Sequence, residues 1–160
     1  MKDSYVELVD LLKQHELTIS TCESITGGMI ASMIVEVPGA SKVFKGGLVV
    51  YTNQAKHSLA NVSEKTLSEY GAISKQCVIE MANNTNKKLR SDICIAISGN
   101  AGPNPDENKP VGMSFLAISI IDKTYWYEIK TKSTSRNDIR IESTAIALEK
   151  TIKLIKDSIK

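Results

Sequence analysis

The sequence predicts an α/β fold: a three-layer α/β/α sandwich on a mostly parallel, mixed five-stranded sheet. Three observations predict it. Five apolar runs of strand length are present, and the first three alternate with segments of helical periodicity. The last two runs are separated only by a tight turn, so one strand must oppose the others. A long amphipathic segment closes the chain. With 160 residues, 42% hydrophobic and 24% charged, the composition supports a real core. A single domain over residues 1–160 is expected.

Residues 3–15 predict a helix, since Tyr5, Leu8, Val9 and Leu12 recur at helical spacing, with Asp3 and Glu7 early and Lys13 late. Residues 17–22 form the first strand and 25–36 the next helix, with Met29, Ile30, Met33 and Ile34 as its buried stripe and Ser24 or Thr26 as its N-cap. Pro38-Gly39 marks a turn. Residues 44–51 form a strand whose apolar end suits a sheet covered on both faces. A short helix starts near Asn53, and a second is capped by Ser63 and stopped by Gly71. A longer one spans 74–90 with Ser74 as cap and Val78, Met81 and Ala82 inward. Residues 92–98 (DICIAIS) read as a buried strand, and the stretch 98–112, rich in Gly, Pro and Asn, as a loop long enough to suggest function. Residues 113–121 and 124–131 form a hairpin around Asp122-Lys123, with Tyr125, Tyr127 and Ile129 on one face and Trp126 and Glu128 on the other. The final helix covers 135–158, with Ile139, Ser143, Ile146, Ile152 and Ile155 broadly on one side.

Charge and cysteine usage exclude several classes of function. The net charge is +2, and the one basic cluster, Lys87, Lys88 and Arg90, ends a helix, where cations suit the dipole. No nucleic-acid partner is expected. The N-terminus lacks the apolar core of a signal peptide and no run reaches the length of a membrane span, so no membrane partner is expected. Cys22, Cys77 and Cys94 are odd in number and widely spaced, which suits a reducing, cytoplasmic setting and gives no zinc pattern.

The stretch Thr18 to Ile30 carries the chemistry. It passes from strand through Glu23, Ser24, Thr26, Gly27 and Gly28 into a helix. Such a turn directs free N–H groups and a positive dipole end toward an anion or a developing oxyanion. Three polar segments, at 22–28, 51–57 and 98–112, each follow a strand, and a parallel sheet brings such segments to one edge. They offer hydroxyls at Ser24 and Thr26, a phenol at Tyr51 and an amine at Lys56. Lys56 and His57 point about 100° apart on a helix, so one of them at most faces the site. His15 ends a helix and reads as a cap residue. Neither histidine stands in a triad pattern with an acid, which leaves a Ser–Lys pair as one possibility. Cys22 is an alternative nucleophile, although its strand position favours burial.

Five motifs then occur in order: Glu23-Ser24-Ile25-Thr26-Gly27-Gly28, Tyr51-Thr52-Asn53-Gln54-Ala55-Lys56, Gly71-Ala72-Ile73-Ser74, Ser98-Gly99-Asn100-Ala101-Gly102-Pro103 and Lys109-Pro110-Val111-Gly112. From about residue 5 to 155 the chain resembles the C-terminal domain family of the competence/damage-inducible protein CinA, several members of which are nicotinamide mononucleotide deamidases. The long CinA proteins' N-terminal pyrophosphatase domain has no counterpart here, so the likeness is to a stand-alone form. The resemblance implies hydrolysis of the carboxamide of that nucleotide to the acid and ammonia, without metal or other cofactor. It implies Ser24 as nucleophile, Lys56 as base and Tyr51 as a supporting hydroxyl. The glycine turn would supply N–H donors to the oxyanion, and Glu23, Thr26, Gly27 and Gly28 would belong to the substrate-binding set. The 98–112 loop would help hold the nucleotide, with Asn53, Ser98, Gly99, Asn100, Ala101 and Gly102 as binding residues, and Arg136 and Arg140 match a segment that would bind its phosphate. A homodimer is implied by the same likeness. The family usually has Ile, Val or Thr where Asn100 stands, which bears on substrate preference. Met113-Ser114 replaces a more usual Thr-Val. The alternative is a catalytically silent nucleotide-binding or sensor module, or a competence-related interaction module, of the same fold.

Overall fold

Two strands without polar-out alternation set the middle of the sheet. β1 (Ile19–Glu23) and β3 (Ile93–Gly99) run side by side in parallel, from Ile19 opposite Ile93 to Glu23 opposite Ile97. β2 (Phe44–Val49) lies parallel on the outer side of β1, β4 (Met113–Ile120) pairs antiparallel with β3, and β5 (Lys123–Lys130) pairs antiparallel with β4. The strand order is β2-β1-β3-β4-β5, and β4 is the one strand that opposes the others. The computed structural model describes residues 2–159.

Side-chain size on the two faces of the strands sets the layers, because successive residues of a strand point to opposite faces. On one face Ile19, Ile93, Ile95, Ile97, Leu116 and Ile118 meet Leu8 and Leu12 of α1 (Lys2–Gln14), Ile30 and Ile34 of α2 (Met29–Val35) and Ile139, Leu148 and Ile155 of α6 (Arg136–Ser158). On the other face the strands present Cys22, Cys94, Ala96 and Ala117. These small residues let α5 (Lys75–Leu89) lie close, with Val78, Met81 and Ala82 turned inward. α3 (Asn53–Ala60) and α4 (Glu64–Glu69) pack beside it. The fold is therefore a mixed five-stranded sheet with helices on both sides, as the sequence predicts.

Three local expectations are corrected. The strand over 44–51 is not covered on both faces: it is an edge strand of alternating exposure, with Val49 49% exposed. The helix predicted from residue 25 begins at Met29. Residues 24–28 form a tight turn in which Gly27 (φ 58°) and Gly28 (φ 98°) are both left-handed, and Gly28 rather than Ser24 or Thr26 is the N-cap. The hairpin turn is Ile121-Asp122, one residue earlier than predicted. Ile120 pairs with Lys123, and the Ile121 N–H donates to the Asp92 carbonyl at 2.9 Å, which fixes the turn in that register. The predicted faces of β5 hold: Tyr125 and Tyr127 pack toward the α6 core, while Trp126 is half-exposed under Lys75, 4.9 Å from its ring centroid.

Candidate active site

β1 and β3 carry Ser24 to the edge of the sheet and fix it there. The Ser24 N–H donates to the Ile97 carbonyl at 3.0 Å, extending the ladder one residue beyond β1, while the Glu23 carbonyl accepts from Val50 N–H at 2.8 Å. The chain leaves β2, and α3 starts at once, with Thr52 as N-cap accepting from Ala55 N–H at 3.1 Å. That start places Lys56 on the first turn of α3, aimed back under the sheet edge. Lys56 is 2% exposed and its Nζ donates to Ser24 Oγ at 3.0 Å and to the Val50 carbonyl at 2.9 Å. Burial pulls the Lys56 pKa below the ordinary lysine value, with Cys77, Cys22 and Glu107 acting in the other direction. His57 faces away: its Nδ1 lies 2.7 Å from the Val62 carbonyl. Of the two neighbours, Lys56 is the one that meets Ser24.

The turn after Ser24 is held from beneath and from outside. Glu23 is fully buried, and its Oε1 accepts from Thr26 Oγ1 at 2.6 Å and from Ile30 N–H at 2.9 Å. Its Oε2 accepts from Ala31 N–H at 3.0 Å. A carboxylate from the preceding strand thus does the work expected of an N-cap hydroxyl, placing negative charge at the positive end of α2. Arg140, from α6, donates through Nε to the Ile25 carbonyl at 3.1 Å, through Nη2 to the Thr26 carbonyl at 3.0 Å and through Nη1 to Asn137 Oδ1 at 3.1 Å. Gly27 N–H is taken up by the Ser24 carbonyl at 3.0 Å.

Ser24 and Lys56 line a cleft of about 440 Å³, a size suited to a small ligand. Tyr51, Asn53, Ser98, Gly99, Asn100, Ala101 and Gly102 also line it, so all three predicted segments converge. Glu23, Thr26, Gly27, Gly28 and Arg140 do not line it; they shape the turn that presents Ser24. Of the two arginines, Arg136 lines the cleft, donating to Tyr51 Oη at 2.7 Å through Nη2 and to the Gly102 carbonyl through Nη1. The Asn100 amide is turned to its own loop: Oδ1 accepts from Gly102 N–H at 2.8 Å, and Nδ2 donates to the Asn104 and Lys109 carbonyls at 3.0 and 3.3 Å.

Cys22 is displaced as a rival nucleophile. All three thiols are buried, and burial pushes Cys22 up to about 11 and Cys77 up to about 12, far from the reactive thiolate. Sequence reasoning did not single out Thr52, Ala72, Ile73, Asp106 or Glu107 on the cleft wall, although Thr52 lies in the 51–57 segment and Asp106 and Glu107 lie in the 98–112 loop that it pointed to. The Gly71-Ala72-Ile73-Ser74 motif was the available signal for two of them. Nothing in the local pattern marks Glu107. Among the described residues no group of three or more His, Cys, Asp or Glu is placed to hold a metal ion, and no helix is long and apolar enough to cross a membrane.

Known proteins share this arrangement of elements. A chain from Agrobacterium tumefaciens, described as competence/damage inducible protein CihA, superposes with a TM-score of 0.91 at 33% identity, over 96% of this chain and 94% of that one. The fold is also that of a CinA superfamily protein from Klebsiella pneumoniae, with a TM-score of 0.94 over 98% of both chains. A CinA-like protein of Thermotoga neapolitana is 44% identical over 160 residues, covering 98% of this chain and 39% of that protein. The Protein MG115 homolog of Mycoplasma pneumoniae is 44% identical over 137 residues, covering 85% of this chain and 87% of that protein. The chain thus spans well under half of the Thermotoga relative and most of the Mycoplasma one. The model of the CinA C-terminal domain matches residues 2–155, nearly the whole length over which the sheet, the turn and the cleft are built, and the chain belongs to that family.

Proposed function

We propose that the chain is an amidohydrolase that converts the carboxamide of nicotinamide mononucleotide to the carboxylate, releasing ammonia. The observation that carries the proposal is the buried contact of Lys56 Nζ with Ser24 Oγ at 3.0 Å on the wall of a polar cleft. A serine hydroxyl needs a base, and an amine becomes one when burial favours its neutral form. With the amine neutral, the Ser24 hydroxyl donates to Nζ. As Oγ bonds to the carboxamide carbon, Lys56 takes the hydroxyl proton and the carbonyl π electrons move to oxygen. Ile25 N–H, next in the chain after the nucleophile, is the proposed donor to that oxyanion. The C–N bond then breaks, the Lys56 ammonium supplies the proton that completes ammonia, and a Ser24 ester remains. Water attacks the ester, Lys56 accepts a proton from it, and the serine oxygen leaves with that proton as the acid is released.

The charges around the cleft support this substrate class. Nicotinamide mononucleotide carries a pyridinium cation and a phosphate anion. The cleft has the Asp106 and Glu107 carboxylates on its loop wall and the Arg136 guanidinium at the α6 side. The pyridinium belongs near Asp106, since both Glu107 oxygens are taken by backbone amides, and the phosphate at Arg136. A cationic ring beside Lys56 also favours the neutral amine.

The test is ammonia release from nicotinamide mononucleotide by wild type and Ser24→Ala, with chelator present. Wild type is expected to turn over and Ser24→Ala to lose at least about a thousandfold in kcat. Equal release by both moves the nucleophile away from Ser24. No release by either, with the nucleotide still bound, leaves a silent binding module.

A further inference from the structure

We infer that Glu107 is a positioning residue: its carboxylate, seated on the Ala72 and Ile73 backbone amides, fixes the loop wall of the cleft against which the nucleotide binds. The inference rests on the functional reading above. Ala72 N–H donates to Oε1 at 2.9 Å and Ile73 N–H to Oε2 at 2.8 Å, so both oxygens are engaged by consecutive amides 34 and 35 residues away in the chain. Glu107, Ala72 and Ile73 all line the cleft. Bonds from amides to a charged carboxylate are among the stronger ones a surface loop can make.

Two backbone features are matched to this seat. Gly71 has φ 82°, and a Cβ there would lie 2.6 Å from Glu107 Oε2, so any side chain at 71 would expel the carboxylate. Glu107 and Asn108 both adopt left-handed backbone, φ 49° and 58°, which asparagine takes readily but glutamate holds rarely. That turn sits at the loop tip and aims the carboxylate at the seat.

The rest of the loop shows why the seat matters. Asn100 ties the loop to itself through Gly102, Asn104 and Lys109, and Asp106 and Lys109 exchange backbone bonds of 3.2 and 2.7 Å. Arg136 holds only the near end, at the Gly102 carbonyl. Among the described residues, Glu107 makes the only hydrogen bonds from residues 104–108 to anything outside the loop. Without them the outer wall is a closed hairpin free to swing from the α4–α5 turn. The depth of the cleft depends on that hinge, whereas toward Lys56 the Glu107 charge is the smallest of the influences that favour the protonated amine.

The experiment compares wild type with Glu107→Gln and, as a second variant, Glu107→Ala, by amide hydrogen exchange and by steady-state kinetics with nicotinamide mononucleotide. Glu107 is exposed, so both variants are expected to fold. The Ala72 and Ile73 amides should exchange at least about tenfold faster in both. KM should rise about tenfold while kcat changes less than about threefold, the signature of lost ground-state binding. Unchanged exchange overturns the proposal, and so does a loss confined to kcat. A fall in KM overturns it as well, because the carboxylate would then be occupying a seat that a substrate anion takes. If wild type releases no ammonia, the functional reading fails, and the exchange result alone decides whether Glu107 holds the wall.

Discussion

A buried amine with no counter-ion holds its proton weakly, and Lys56 is such an amine. Among the described residues no carboxylate lies within 4.0 Å of its Nζ; its two acceptors are a hydroxyl and a carbonyl. Desolvation therefore dominates and lowers its pKa. The sign for activity follows directly. The protonated amine cannot accept the Ser24 proton, so kcat/KM should rise with pH through the lowered lysine pKa, and this acid limb should lie below the ordinary lysine range. Lys56→Ala should remove about 10²–10⁴-fold of kcat, the usual contribution of a general base. Lys56→Arg should fare no better, since guanidinium does not deprotonate. The Ser24→Ala, Lys56→Ala double variant should be little worse than either single, because the two groups act as one unit. An acid limb that persists unchanged in Lys56→Ala would assign the titration to another group.

At the scale of elements, the strand-to-helix passage from β1 to α2 is the piece on which the site depends, and it is built around Glu23. One buried carboxylate satisfies the Thr26 hydroxyl and two backbone N–H groups at the start of α2. α2 is only seven residues long, so it has few internal bonds with which to hold its own end. Arg140 reaches from α6 to the Ile25 and Thr26 carbonyls and closes the turn from the opposite side. Glu23→Ala leaves two buried donors and one part-buried donor without an acceptor and should cost about 3 kcal/mol, lowering Tm by about 6–12 °C. Arg140→Ala, which frees two carbonyls from part-buried bonds, should cost less, about 1 kcal/mol. Both should reduce kcat more than they raise KM, since neither residue lines the cleft. Urea titration and steady-state kinetics on the same preparations check this. A Glu23→Ala protein as stable as wild type would remove the carboxylate from its place under the turn.

For the whole molecule, the sequence carried the layers better than it carried the joins between them. DICIAIS over 92–98 reads as a buried strand because it offers no polar face, and β3 is the strand at the centre of the sheet. The alternation over 124–131 separates Tyr125 and Tyr127 from Trp126, and the structure turns the tyrosine face to the α6 core. The start of α2 was misplaced because its capping oxygen comes from seven and eight residues upstream, beyond the spacing that local capping rules read. Arg136 and Arg140 stand one helical turn apart, and the sequence cannot tell which reaches the cleft and which the turn. Ser24 with Lys56, and Glu107 with Ala72, meet only through the sheet topology, at separations of 32 and 35 residues. The cleft is made where these long-range joins meet: its walls come from the ends of β1 and β3, from the segments leading into α3, α5 and α6, and from the loop before β4. A ligand that fills it touches elements from both helical layers and should stabilise the fold as one unit. On the proposed function, Ser24→Ala protein is expected to bind without turnover and should gain about 2.7 kcal/mol with nicotinamide mononucleotide at a hundred times its dissociation constant. That gain corresponds to a rise in Tm of about 5–10 °C for a chain of this length. Free nicotinamide lacks both the phosphate and the ring charge and should give a much smaller shift at the same concentration. A melting curve that ignores the mononucleotide while the protein remains folded would mean that the cleft takes a different ligand. Equal shifts with both compounds would mean that neither Arg136 nor the acidic wall contributes to recognition.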